Sequence, residues 1–269
     1  MSEKLVLAGA GQLNRRIAQR WLRNGSVEAM RLSTPEPALG FNQVQVDLAQ
    51  SYWPDLAADI LVVALASRGE RTLENYRRTY LAPLQRLHES LPQWRHCPSR
   101  VLVVSSSRVY GEDAGGIIDD NSQASAGDER AEILLEMEAL AQSLPTTVTI
   151  ARLSGIYGPG RDWLKRRALT AEADSYADKW TNRIHIDDAA AAIVHLLQVE
   201  SPRSHYIVSD CEPQTLTTMF NLFRKQEGLP LFDLSAPPQR GKRLSPMALA
   251  DSGFEWQYPT AFSGGYNLD

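Results

Sequence analysis

The chain has 269 residues, of which 43% are apolar and 22% charged, and a formal net charge of −4. That charge argues against nucleic acid as a partner, while two cysteines, Cys97 and Cys211, are too few for a disulfide framework and stand in no metal-ligand spacing. A chain of this length buries roughly 70–75% of its extended surface, enough for one large domain or a domain with a smaller lobe.

The first element is an apolar run at residues 4–8 that ends in Gly9-Ala10-Gly11. Leu13, Ile17, Ala18, Trp21 and Leu22 follow at helical spacing, with Arg15, Arg16, Arg20 and Arg23 as the wet face. A strand start this early leaves no room for a signal peptide, and no apolar run reaches membrane-spanning length, so a cytoplasmic protein is expected. After the Asn24-Gly25 turn, residues 27–32 read as a strand, 44–46 as a third that closes at Asp47, and 60–66 as a continuous apolar strand. A long helix is predicted over 71–91 up to Pro92, then a strand over 101–105, a helix over 129–143 and a strand over 147–153. Short apolar strands alternating with helices predict an α/β fold, a doubly wound parallel sheet with its ligand sites along one edge. Beyond 155 the alternation loosens into a helix at 188–198, a strand at 205–208 and a helix at 216–225. The tail, rich in Pro, Gly and aromatics, is expected to form a small C-terminal lobe over the strand ends.

Gly9-x-Gly11, between a strand and a helix, fits a dinucleotide phosphate turn. The first glycine allows the tight turn, and the second lets backbone approach a pyrophosphate at the helix N-terminus. A purely structural turn is the other reading. Asn14 holds the third position, where a side chain should push the helix off the strand unless the turn compensates. The second strand ends in Met30-Arg31-Leu32-Ser33 without a carboxylate. Arg31 beside Ser33 suits a 2′-phosphate, so NADP is expected ahead of NAD; a solvated Arg31 is the alternative. Asp47 is placed either to accept from an adenine amine or to cap the turn after it. Gln12 and Leu13 at the helix start, and Ala64 and Ala66 at the end of the 60–66 strand, complete this cofactor-binding set.

Ser105, Ser106 and Ser107 put hydroxyls at the carboxyl end of a central strand, and Val109-Tyr110-Gly111 follows them. Downstream come RLSGIYGPGR at 152–161 and NRIHIDDAA at 182–190, then GKRLS at 241–245 and YPTAFSGGY at 258–266. In this order the segments resemble the extended and atypical short-chain dehydrogenase/reductase superfamily. The likeness is greatest to the bacterial YeeZ-like group of the NAD-dependent epimerase/dehydratase family. The resemblance runs from Lys4 to Tyr266. It implies an NAD(P)-binding Rossmann domain over 1–160, and a mixed region over 161–269 that adds late sheet elements and a small substrate-binding lobe. It also implies that Ser106, with Ser107 its neighbour, polarises the reacting alcohol or carbonyl, and that Pro159 passes near the nicotinamide. Arg183 and His185 would face a small, anionic or nucleotide-sugar substrate, with a structural role as the other reading of His185. Helices 71–91 and 129–143 would form the seam if the protein is a homodimer rather than a monomer.

The family pattern also places Tyr-x-x-x-Lys on the helix after SSSRVYG, where the lysine lowers the phenol's pKa. No tyrosine in this chain has a lysine four residues later. Aligning Glu138 with the family's later glutamate puts Arg130 at the tyrosine position and Leu134 at the lysine position; the shifted register gives Asp128 and Glu132. Arg130 stays charged and suits an anion clamp rather than an acid. Tyr110, close to Ser106 in sequence, is the candidate catalytic phenol that could substitute for the pair, with a partner that would have to come from elsewhere. Glu132, Glu136 and Glu138 are expected mostly to be solvated. The expected reading is an NAD(P)-dependent epimerase/dehydratase or reductase type without its usual acid/base pair, or else a weakly catalytic or non-catalytic sensor.

Overall fold

A strand that is apolar on both faces must sit inside a sheet covered on both sides. The runs KLVLA and ILVV do so, with every residue of the second buried. The computed structural model describes residues 3–67, 69–70, 72–234, 237–263 and 266. It begins with β1 (Lys4–Ala8), α1 (Gln12–Trp21), β2 (Ser26–Arg31), β3 (Asn42–Gln45) and β4 (Ile60–Val63). Then come α2 (Leu73–Tyr76), a π turn (Arg77–Leu81), α3 (Ala82–Ser90), β5 (Arg100–Ser106), β6 (Ala114–Ile118), α4 (Glu129–Gln142) and β7 (Thr147–Leu153). The remainder is β8 (Gly155–Tyr157), α5 (Trp163–Thr170), β9 (Trp180–Thr181), β10 (Arg183–His185), α6 (Ile186–Gln198) and β11 (His205–Val208). It closes with β12 (Gln214–Thr215), α7 (Leu216–Gln226), β13 (Gly241–Leu244) and α8 (Met247–Asp251).

Seven strands form the main sheet in the order β11-β7-β5-β4-β1-β2-β3. The pairs β1–β2, β2–β3, β1–β4 and β4–β5 are parallel. This is the Rossmann-type parallel sheet with helices, and its strand order reverses between β1 and β4, where ligands of such sheets bind.

Two differences from the predicted elements have local causes. The helix predicted over 71–91 begins at Leu73 (Arg71 lies outside the described residues) and carries a π turn before α3. Pro83 lacks the N–H that would bond the carbonyl of Thr79, so the helix takes up an extra residue there. The strand predicted over 60–66 stops at Val63, because the carbonyl of Ala64 accepts from a side chain instead of a neighbouring strand.

The chain divides into two compact units, the first formed by residues 1–111, 124–152 and 190–206. The second comprises 112–123, 153–189 and 207–269. Within the second unit β8 pairs with β10 and β6 with β13, both in parallel, and β9 pairs antiparallel with β12. Its core is Leu164 and Ala168 of α5 against Leu216, Met219, Phe220 and Phe223 of α7, with Tyr157 and Tyr266. Buried Asp120 fastens the 112–123 segment by accepting from the backbone of Ile207 at 2.6 Å and Ala248 at 3.0 Å. Among the described residues no helix is long and apolar enough to cross a membrane.

Candidate functional site

In the first unit the glycine turn lies at the reversal point of the sheet. Gly9 has φ +100°, and a Cβ there would stand 2.9 Å from the Asn14 amide and 3.1 Å from the Ala64 carbonyl, so only glycine fits. Gly11 is a different case. Its φ of −72° suits any residue, and a Cβ built on it meets nothing within 4 Å. It stands at the N-cap of α1, where no side chain caps the helix and no acid occupies the first turn. The uncovered amides of this turn, Gln12 and Leu13 included, therefore fit a pyrophosphate.

Asn14 does not push the helix away. Its buried Nδ2 donates to the carbonyls of Ala8, Gly9 and Ala64 at 3.1, 2.9 and 3.0 Å, fastening α1 to the ends of β1 and β4. Ala64 thus belongs to the turn, while Ala66 is exposed beyond it.

At the end of β2 all three nitrogens of the Arg31 guanidinium are engaged. It donates to Ser33 Oγ from Nε and Nη2 at 3.1 and 2.8 Å, and from Nη1 to Gln43 Oε1 at 2.7 Å and Glu36 Oε2 at 3.4 Å. Glu36 also accepts from Arg15 at 2.8 Å. This acid, five residues past Arg31, leaves no mark in the strand pattern because it lies outside the strand. Asp47 caps its turn by accepting from the Ala49 amide at 3.0 Å and pairs with Arg78 at 3.2 Å.

Ser106 is half-buried and accepts from the Arg108 amide at 3.2 Å, opening the turn that Ser107 continues. Tyr110 points inward: its phenol accepts from Arg152 at 2.8 Å and its ring is 1% exposed, which removes it from contact with a ligand in this conformation. Arg152, the penultimate residue of β7, grips Glu138 of α4 with Nε at 3.2 and 3.1 Å and Nη2 at 2.7 Å. Burial alone would pull the guanidinium's pKa down, but Glu138 and the Tyr110 hydroxyl hold it above its usual value. Glu138 is therefore not solvated, unlike Glu132 and Glu136. An arginine inside an otherwise apolar strand is the sequence signal that calls for such a carboxylate. On α4, Arg130 is half-buried and near enough to Tyr76 to act on its phenol, whereas Leu134 is 1% exposed.

In the second unit the parallel pair β8–β10 sets Arg183 opposite Gly155 and His185 opposite Tyr157. A Cβ at Gly155 would lie 2.5 Å from Arg183 Nη1, so the guanidinium lies across the bare backbone. His185 is buried, accepts from the Asp187 amide at Nδ1, and packs its ring 3.9 Å from that of Tyr258. Pro159 is exposed in the turn after β8. Asp210, just beyond β11, is buried, and burial pushes its carboxyl up to about 8. The sequence offered no mark for it beyond its place at a strand end.

No protein-family model matches the chain. Protein YeeZ of Escherichia coli K12 is 28% identical, with 96% of this chain and 97% of that protein covered. A solved structure from Methylobacillus flagellatus, assigned as an NAD-dependent epimerase/dehydratase, is 31% identical over 99% of this chain and 97% of its own, with a TM-score of 0.84. UDP-glucuronic acid 4-epimerase from Bacillus cereus, solved with UDP-glucuronic acid and NAD, shares the fold at 18% identity and a TM-score of 0.73, over 97% and 96% of the two chains. The expectation of NADP is corrected here. In five solved structures of this fold the bound nicotinamide cofactor is NAD. The physical reason lies at Arg31 and Ser33, which bond each other, with Glu36 adding a negative charge where a 2′-phosphate would need a free cation.

Proposed function

The chain belongs to the NAD-dependent epimerase/dehydratase family, and from that membership we propose that it binds NAD through the Gly9–Asn14 turn and acts on a nucleotide-sugar type of substrate without the family's Tyr/Lys pair. The observation that carries the cofactor half is Gly11, a glycine that neither its backbone angle nor its packing requires, at an uncapped helix end. Bound NAD supplies hydride transfer. The protein's own groups do the rest. Backbone amides at Gly11–Leu13 hold phosphate, and Glu36 fixes Arg31 and Arg15 beside the end of β2. Ser106 orients the reacting oxygen, Ser107 stands next to it, and Arg130 is a cation at the position where the family has its phenol. Arg183 meets the anionic part of the substrate.

Leu134 supports a second reading, in which the protein holds NAD as a sensor. Uncharged and buried, it leaves the lysine position of α4 without a cation. The test is calorimetric titration with NAD and NADH, followed by a turnover assay on UDP-glucuronic acid and UDP-glucose. Saturable NAD binding that falls at least tenfold in Gly11→Val, with the fold intact by circular dichroism, is expected. Absence of NAD binding to the wild-type chain sinks both readings. NAD binding without interconversion of either sugar nucleotide leaves the sensor.

A further inference from the structure

Four side chains of the second unit carry buried polar atoms with no hydrogen-bond partner among the described residues: both carboxylate oxygens of Asp210, Nε of the half-buried Arg183, Oγ of Ser154 and Oη of Tyr266. They are neighbours. The Asp210 amide donates to the Arg183 carbonyl at 2.7 Å, and the Ser154 amide donates at 3.0 Å to Val208, two residues before Asp210. The Tyr266 phenol responds to both Arg183 and Asp210. Its ring stacks on that of Tyr157 at 4.1 Å. Buried polar groups in folded proteins are paired in roughly 90% of cases or more, so four together call for a partner that the described residues do not supply.

The chemistry of that ligand follows from the donors. Arg183 only donates, and the hydroxyls of Ser154 and Tyr266 are free to donate. A carboxyl that keeps its proton donates as well. We propose that Asp210, as the neutral acid, joins Arg183, Ser154 and Tyr266 in binding one oxyanion group of the substrate, a phosphate or a carboxylate, so that anion binding is coupled to the proton on Asp210. The inference rests on the reading in which Arg183 meets an anionic substrate, and adds to it a pH-sensitive selector.

The surroundings favour the neutral acid. Burial is the main cause that raises Asp210 to about 8; the Glu212 amide, near but outside hydrogen-bond geometry, and Arg183 pull it down, while Glu212 and Asp188 push it up. Asp188 cannot serve in its place, since its two oxygens accept from the amides of Gln257 and Tyr258 at 3.0 and 2.7 Å. The other titratable groups facing Asp210 are Tyr157, Tyr266 and Cys211, all raised chiefly by burial, so none of them carries a charge at neutral pH. His185 stands edge-on to Tyr157, with Asp187 at 3.6 Å.

Sulfate is the probe for the test, because its charge is constant between pH 7 and pH 9.5. Calorimetry is run on the whole chain with NAD present, which fills the phosphate turn of the first unit. With Asp210 at about 8, the neutral fraction falls from about 0.9 at pH 7 to about 0.03 at pH 9.5, so sulfate affinity should fall about 30-fold. Asp210→Asn keeps a donor that cannot ionise, and should bind sulfate at pH 7 with the dependence on pH gone. Arg183→Gln should weaken sulfate at both pH values. Sulfate that fails to bind at pH 7, binds the wild type equally at both pH values, or keeps its pH dependence in Asp210→Asn overturns the proposal. UDP and glucuronate, run as separate arms, identify phosphate or carboxylate by which repeats the sulfate pattern. If sulfate behaves as expected and UDP, glucuronate and UDP-glucuronic acid all fail to bind, the oxyanion site stands and the nucleotide-sugar reading falls.

Discussion

Replacing Glu138 by Gln isolates the buried network that holds the Ser106 turn in place. The pair is almost wholly enclosed, with side-chain exposures of 8% for Arg152 and 4% for Glu138. In the wild type Arg152 makes three contacts within hydrogen-bond distance to Glu138 and a fourth to Tyr110. Gln fills the same space but removes the negative charge, leaving a guanidinium in low dielectric with only the phenol and an amide oxygen. Breaking a buried pair in this way costs about 3–5 kcal/mol, more than the pair itself is worth, because the cost is that of the uncompensated cation. The double change Glu138→Leu with Arg152→Met should recover most of that loss, since both charges leave together. Tyr110→Phe removes one acceptor and should cost about 1–2 kcal/mol. Hydrogen exchange of the amides of α4 and β7 is the suitable assay, because it reads the first unit locally even if the two units unfold separately. A loss below about 1 kcal/mol in Glu138→Gln, or a double variant weaker than the single one, would refute the buried-pair argument. If the single variant behaves as expected and its NAD affinity is unchanged while turnover falls, the network acts on the Ser106–Tyr110 turn and not on the phosphate turn.

Glu36→Gln should free Arg31 and Arg15 from their shared carboxylate and move the NAD-to-NADP affinity ratio toward NADP by about tenfold, the value of one charge-assisted contact at a half-exposed site. Calorimetry with both cofactors reads it, and an unchanged ratio would place Glu36 outside the cofactor's reach. Asp210→Asn should alter the pH dependence of stability. The folded-state carboxyl is raised to about 8 from its ordinary 3.8, so between those values the unfolded chain holds fewer protons and stability falls as pH rises. The full span corresponds to a penalty on the order of 5 kcal/mol, complete above pH 8 and absent below pH 4. Thermal unfolding at pH 5 and pH 8.5 should therefore show the variant more stabilised at the higher pH, and an equal shift at both would contradict the burial of an unpaired acid.

The parts of the fold that were readable in sequence are those whose environment is the same on every side. β1, β4 and β7 are buried on both faces, so apolar runs alone mark them, and the turn at Gly9 is fixed by a strand before it and a helix after it. The parts that were not readable depend on partners far along the chain. Glu138 looked like one of several glutamates on a wet helix because its partner, Arg152, belongs to the next strand. Arg31 looked free because Glu36 and Gln43 reach it from a loop and from β3. Asp210 carried no motif at all, since what distinguishes it is a buried carboxylate with no hydrogen-bond partner among the described residues.

The missing Tyr/Lys pair changes meaning in the same light. On sequence it is two substitutions, with Arg130 and Leu134 standing where a phenol and an ammonium would be. In the folded chain Leu134 lies on the face of α4 that also buries Glu138 and Ala141, with Ile133 and Met137 alongside. An ammonium on that face would need its own buried carboxylate, and Glu138 is already committed to Arg152 and through it to Tyr110. The loss is thus built into the packing of the helix and is not a pair of surface changes that one reversal would undo. Neither Leu134 nor Glu138 is therefore placed to hand a proton to a group beside Ser106, and the phenol of Tyr110 is held inward by the same arginine.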